Sequence, residues 1–162
     1  MVDVNTIQSG TVFAWFMLLM LLRRWVMLVV SGMARRGKPL PADRVPEDRK
    51  LTGGQVAAGV PDQVEFTKDV RVNKTISNDT ENDTYFLILL LATAIFSDAR
   101  SVDSNVIRTI VYGAIYLFAR ICYAISYIMG LQPWRSISFG LGFLCTLACS
   151  LDLVITMSRR AN

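Results

Sequence analysis

The sequence predicts an all-α integral membrane fold, a bundle of four transmembrane helices, and three observations carry that prediction. Of the 162 residues 52% are hydrophobic and the mean hydropathy is +0.39, which is too apolar for a soluble domain of this length. The apolar residues gather into four stretches between polar segments, and together these use nearly all of a chain sized for one small domain. Lys and Arg outnumber Asp and Glu by 17 to 13, yet no basic stripe with interleaved aromatics lies in a soluble segment. The excess reads as membrane topology, with no nucleic-acid partner.

The first apolar run, Thr11 to Leu22, meets Arg23-Arg24 and resumes through Trp25 to Ala34, so a helix over about 11–34 is long enough for a hydrocarbon core that needs roughly 20 residues. Met1 to Gly10 carries no Lys or Arg and the basic residues follow the run, opposite to a secretory signal, so the segment reads as a retained anchor. The second run, Tyr85 to Phe96, is too short alone. Its helix extends back through the polar residues from Lys74 to Asp83, giving about 73–96, if that half projects into water or a bundle interior. The third and fourth helices are expected at about 106–129 and 137–157. The whole of 1–162 reads as one membrane domain, with a loop over about 35–72.

The segment from Arg35 to Lys74 holds nine Lys and Arg, whereas Ser97 to Asn105 holds only Arg100, so the long loop is cytoplasmic and both termini face the lumen. Pro39, Pro41, Pro46, Gly53, Gly54, Gly59 and Pro61 argue against regular structure between Gly37 and Thr67. Three Asn-x-Thr patterns, at Asn73, Asn78 and Asn82, would require a lumenal segment if glycosylated, against the positive-inside count.

The chain has no histidine, which removes Ser-His-Asp triads, Cys-His pairs, His-ligated zinc and imidazole acid/base chemistry, and no metal site is expected. Cys122, Cys145 and Cys149 all lie inside apolar runs and read as reduced packing residues. An arginine near a helix centre costs about 3 kcal/mol on insertion scales. Arg108 can snorkel from a helix end, and Arg23 or Arg24 is expected to pair with Asp152 or lipid headgroups. Arg120, Tyr123 and Tyr127, at i, i+3 and i+7, place a guanidinium and two phenols on one helix face. The bland reading of that row is an aromatic belt with a snorkelling arginine. Lys74, Asn78 and Glu81 form a second row, with Arg71 one turn earlier, and Glu81, four residues before the apolar run, is expected to face an interior cleft. Arg135 follows Pro133 and would meet the cytoplasmic end of the Arg120 row. Cations, an amide, a carboxylate and phenols at one membrane edge suit a small zwitterion, because Arg and Lys take carboxylates and Glu81 takes an ammonium.

At these residues the chain resembles the MAPEG family, the membrane-associated proteins of eicosanoid and glutathione metabolism. The family's Arg-x-x-x-Asn-x-x-Glu pattern is approached by Lys74, Asn78 and Glu81, within a run Asn78-Asp79-Thr80-Glu81-Asn82 similar to the microsomal glutathione transferase version. Its Arg-x-x-Tyr-x-x-x-Tyr pattern is met by Arg120, Tyr123 and Tyr127, and Tyr116-Leu117-Phe118-Ala119 resembles the leukotriene-forming synthase. Ala34-Arg35-Arg36 resembles the basic end of the first helix, Pro46-Glu47-Asp48 matches in the loop, and Arg135 falls where the family carries the arginine held to stabilise the glutathione thiolate. Lys74 replaces the motif arginine and loses its two-pronged carboxylate contact, and Asn73 and Ile76 stand where the transferase branch carries an arginine and a histidine.

The resemblance implies a homotrimer in an endoplasmic-reticulum membrane or, as the other compartment considered, the mitochondrial outer membrane. Glutathione would lie between subunits at the cytosolic edge, held by Arg71, Lys74, Asn78, Glu81, Arg120, Tyr123 and Tyr127 with Arg35 or Arg36 closing over it. Arg135 would activate its thiol toward a lipophilic electrophile or lipid hydroperoxide arriving from membrane lipid. The expected activity is a membrane glutathione transferase. The alternatives are a glutathione-dependent leukotriene or prostaglandin synthase, and a catalytically weak or non-enzymatic tetraspan protein whose polar rows are interhelical glue.

Overall fold

The computed structural model describes residues 8–35, 68–96 and 102–160. They form four helices: α1, Ser9–Ala34; α2, Lys68–Ile95; α3, Val102–Met129; and α4, Trp134–Arg160. Each is 26 to 28 residues long, about 40 Å at 1.5 Å per residue, enough to cross a bilayer core of about 30 Å. Three of them, α1, α3 over Val106–Met129 and α4 over Trp134–Arg159, are also apolar enough to do so by composition. Large apolar side chains such as Trp15, Trp25, Ile88, Phe118 and Leu144 are exposed around the bundle, the arrangement of a protein whose outer solvent is lipid. The basic loop expected between Gly37 and Thr67, with its Pro46-Glu47-Asp48 match, lies outside the described residues, as does Arg36.

Helices consecutive in the chain run antiparallel. Ser9 Oγ donates to the Ala94 carbonyl at 2.9 Å at one end of the α1–α2 pair, and Arg35 Nη2 donates to Asn73 Oδ1 at 2.7 Å at the other. Among the described residues α2 and α3 each touch all three other helices, while α1 and α4 do not meet. The core is therefore built on α2 and α3. Toward the Ser9 end, Met20, Phe86, Leu90, Tyr116 and Cys145 form one apolar layer, with the Phe86 and Tyr116 rings stacked 3.7 Å apart and nearly parallel. A second layer of Met27, Val72 and Ala124 lies toward the other end. Gly113 sits under the Phe16 ring, and a methyl group there would lie 2.6 Å from ring carbons. Only glycine lets α1 and α3 approach this closely.

All four helix starts fall earlier than hydropathy predicts: Ser9 rather than about 11, Lys68 rather than about 73, Val102 rather than about 106, Trp134 rather than about 137. Polar end residues add nothing to an apolar run, yet they continue the backbone ladder, and Asp69 in the first turn of α2 complements the helix dipole.

Candidate functional site

Between the two apolar layers lies a charged one, and the reason is helical arithmetic on α2. Val72, Thr75, Asp79, Phe86 and Leu90 are buried at spacings of three, four and seven, and Asp83, one turn from Asp79, joins the same stripe. The stripe that buries Phe86 and Leu90 thus carries two carboxylates into the bundle, where α1 and α3 each supply an arginine. Arg23 Nη1 is 3.3 Å from Asp79, and its Nη2 bonds Asp83. Arg120, only 1% exposed, bonds Asp79, reaches Asp83 at 3.8 Å through Nε, and donates to Asn78 Oδ1 at 2.7 Å. The Tyr116 hydroxyl donates to Asp83 at 3.0 Å.

This knot corrects two sequence expectations. Arg23 pairs with Asp79 and Asp83, not with Asp152 or headgroups. Asp152 is instead 3.6 Å from Arg108, which also donates to Thr156 at 3.1 Å. Arg24 neither joins Asp152 nor enters the knot, and donates to Thr80 Oγ1 at 2.7 Å. Glu81 does not face an interior cleft either: it is exposed in the single chain, because two residues from Asp79 is about 200° around a helix and points it away from the core.

From the knot, a row of cations and rings runs toward the α3–α4 turn. The Arg120 guanidinium carbon lies 4.7 Å from the Tyr123 ring, the Tyr123 and Tyr127 rings are 5.6 Å apart, and the Arg135 guanidinium lies 5.0 Å from the Tyr127 ring. Phe139 flanks Tyr123 at 5.9 Å. Such stacking holds a guanidinium in place while leaving its N–H edge available. Arg135 stands in the first turn of α4, half-buried, and meets no carboxylate among the described residues. The α3–α4 turn is closed by Gly130 at φ +72°, and the Arg71 guanidinium packs against it, in the space a Cβ would need.

The structure therefore brings Arg120, Tyr123, Tyr127 and Arg135 together, with Asn78 bonded to the first and Arg71 beside the turn. Lys74 and Glu81 lie exposed on the outer side of α2. Arg35 is not gathered in. It bonds Asn73, which also accepts from Ser31 Oγ at 3.0 Å, and Asn73 lies on the α1 flank of α2, about 140° around the helix from Asn78. The Arg35 Nε atom is buried without a hydrogen-bond partner among the described residues. Asp79 and Asp83 are the polar residues that motif reading misses. Their signal is present, since they fill the places between Thr75 and Phe86 in an otherwise buried stripe.

On the same flank of α2 as Asn78, a cavity of about 270 Å³ opens between α2 and α4, lined by Asn82, Tyr85, Leu89, Phe143, Thr146, Leu147 and Ser150. Mostly apolar with a few polar groups, it suits part of a lipophilic molecule. The Arg135, Arg71 and Lys74 cations, the Glu81 carboxylate and the Tyr127 phenol, each half-buried or exposed in the single chain, suit a small zwitterion with more than one carboxylate and an amine. Arg120 does not belong to that set, because its guanidinium is buried and committed to Asn78 and the two aspartates.

A comparison with curated proteins found no match. The model of one protein family, the MAPEG family, matches residues 12–155, nearly the whole chain and all four helices. With three helices long and apolar enough to span and a fourth carrying the charged stripe between them, the chain is a multi-pass integral membrane protein that belongs to the MAPEG family, a family of glutathione-related membrane proteins.

Proposed function

We propose that the chain is a glutathione-dependent membrane transferase, conjugating glutathione to lipophilic electrophiles or reducing lipid hydroperoxides, as a homotrimer with its sites at the cytosolic edge of an endoplasmic-reticulum membrane. One observation carries the reading: Arg135, half-buried, is held over the Tyr127 ring with no carboxylate among the described residues to neutralise it. The donor set fits glutathione, which has two carboxylates, one ammonium and a thiol. Arg71 and Lys74 take carboxylates, Glu81 takes the ammonium, and Asn78, Tyr123 and Tyr127 line the row between them, with Arg35 or Arg36 contributed at the rim. Arg120 acts through the row, because it is fixed by Asp79 and in turn stacks on Tyr123. Bound glutathione supplies a sulfur nucleophile for attack on the acceptor.

Arg135 has the task of favouring the thiolate. A thiol with pKa near 8.5 is about 3% ionised at pH 7. Lowering it to about 7 requires roughly 2 kcal/mol of preferential stabilisation, within reach of one poorly solvated guanidinium. The α2–α4 cavity offers the acceptor an apolar seat that opens toward lipid. Arg135→Ala is expected to lower turnover of a standard electrophile about 15-fold at pH 7, in step with the lost thiolate fraction, and to recover part of the loss at pH 9. Unchanged turnover at pH 7 would remove Arg135 from the activating role.

The commitment of Arg120 to internal carboxylates favours a second reading, a relative that holds glutathione but turns over weakly. Glutathione binding with no ionised thiol and no turnover would select it.

A further inference from the structure

The charged layer leaves one cation over. At this depth Arg23 and Arg120 pair with Asp79 and Asp83, while Arg24 meets no carboxylate among the described residues and bonds Thr80 Oγ1. Around it Leu21, Leu22, Trp25 and Leu28 are exposed, so Arg24 sits on a lipid-facing wall where an unpaired charge is costly. Glu81 is the converse: exposed, next to exposed Tyr85, and without a cation among the described residues. Both stand at one depth. Arg24 touches Thr80, the residue before Glu81, and Asp79 to Asp83 spans only about 6 Å along α2. Counted with Glu81, the layer is neutral.

Among the described residues one chain does not close this pair with itself. From Asp79, which points inward, Thr80 projects about 100° one way and Glu81 about 160° the other, so Arg24 and Glu81 lie on opposite sides of the outward face of α2. Copies inserted in one orientation keep every residue at its depth, and rotation about an axis normal to the membrane turns the Arg24 side of one toward the Glu81 side of the next. Such a head-to-tail contact closes into a ring.

We infer that Arg24 of each chain pairs with Glu81 of a second copy, a clasp that joins subunits and neutralises the charged layer. The inference rests on the assembly proposed above and supplies its contact. It also brings a neighbour's arginine to a proposed glutathione residue, since a carboxylate has acceptor sites enough for a guanidinium and an ammonium together. Arg24 is then a positioning residue for Glu81.

The test co-expresses full-length Arg24→Cys and Glu81→Cys chains carrying different tags, in lipid nanodiscs, with a short bismaleimide as cross-linker and the unsubstituted chain as the control for native cysteines. A cross-linked product bearing both tags, well above that of either variant alone, is expected. Oligomers seen by native mass spectrometry without the mixed product would overturn the clasp while leaving the assembly standing, and would give Arg24 to an anionic lipid headgroup. Monomers throughout would overturn both. In a second arm, Arg24→Glu and Glu81→Arg should each lower the oligomeric fraction several-fold and the double exchange should restore it; a double variant no better than the singles contradicts the pairing.

Discussion

Replacing Asp79 with alanine should cost far more than replacing Asp152, although each removes one carboxylate from one ion-paired arginine system. The Asp79 side chain is 6% exposed and is shared by Arg23, at 9%, and Arg120, at 1%. Its loss strands buried guanidinium charge. Breaking a buried pair from one side costs about 3–5 kcal/mol, and Asp83 stays within reach of both arginines, which places the expectation near the lower end, about 3 kcal/mol. At roughly 2–4 °C per kcal/mol for a chain of this size, the thermal midpoint should fall by about 6–12 °C. Asp152 pairs with Arg108 at 3.6 Å, but their side chains are 26% and 38% exposed, and such a pair is worth about 1 kcal/mol or less. Asp152→Ala should therefore shift the midpoint by no more than about 4 °C. The assay is helical circular dichroism on melting in one detergent, with an SDS titration as the equilibrium check. Equal shifts for the two variants would refute the claim that the Asp79 system is a sealed charge layer.

Three further outcomes follow from geometry. Gly113→Ala forces the Phe16 ring aside and should cost about 1–3 kcal/mol by overpacking, read in the same melt; trimming the ring in Gly113→Ala/Phe16→Leu should recover part of it. Gly130→Ala meets both a left-handed backbone, at φ +72°, and the Arg71 guanidinium, so about 1–3 kcal/mol is expected, and Arg71→Ala should relieve the contact but leave the backbone cost. Arg23→Met with Asp83→Leu removes a cation and an anion together, and should melt closer to the unsubstituted chain than Asp83→Leu alone, because replacing both members of a buried pair with apolar residues is far milder than stranding one.

Several features were legible from residue order alone. The stop at Arg23-Arg24 after Leu22 marks the depth at which the interior turns polar, and the apolar run from Tyr85 marks the same boundary on α2, which Asp83 and Arg23 join in space. The Arg120, Tyr123, Tyr127 spacing places three groups on one face, and Arg135 reaches its end across the turn. What stayed hidden was which face of α2 turns inward. In a run of Asn, Asp, Thr and Glu every face is polar, so hydropathy does not choose between Asn78 with Glu81 and Asp79 with Asp83. The choice is made by Val72, Phe86 and Leu90, whose burial continues through Asp79. Partners for Arg23 were equally out of reach, because a pairing across 56 to 60 positions depends on helix packing rather than on local spacing.

The central claim, that Arg135 and the α2–α3 row hold glutathione with its thiol ionised, is tested most directly by titrating glutathione into the detergent-purified protein at neutral pH. Calorimetry and ultraviolet thiolate absorbance are followed on the same sample. Saturable binding accompanied by a thiolate signal that Arg135→Ala abolishes is the predicted result. Absence of binding at millimolar glutathione, or binding whose thiolate signal persists in Arg135→Ala, would contradict it.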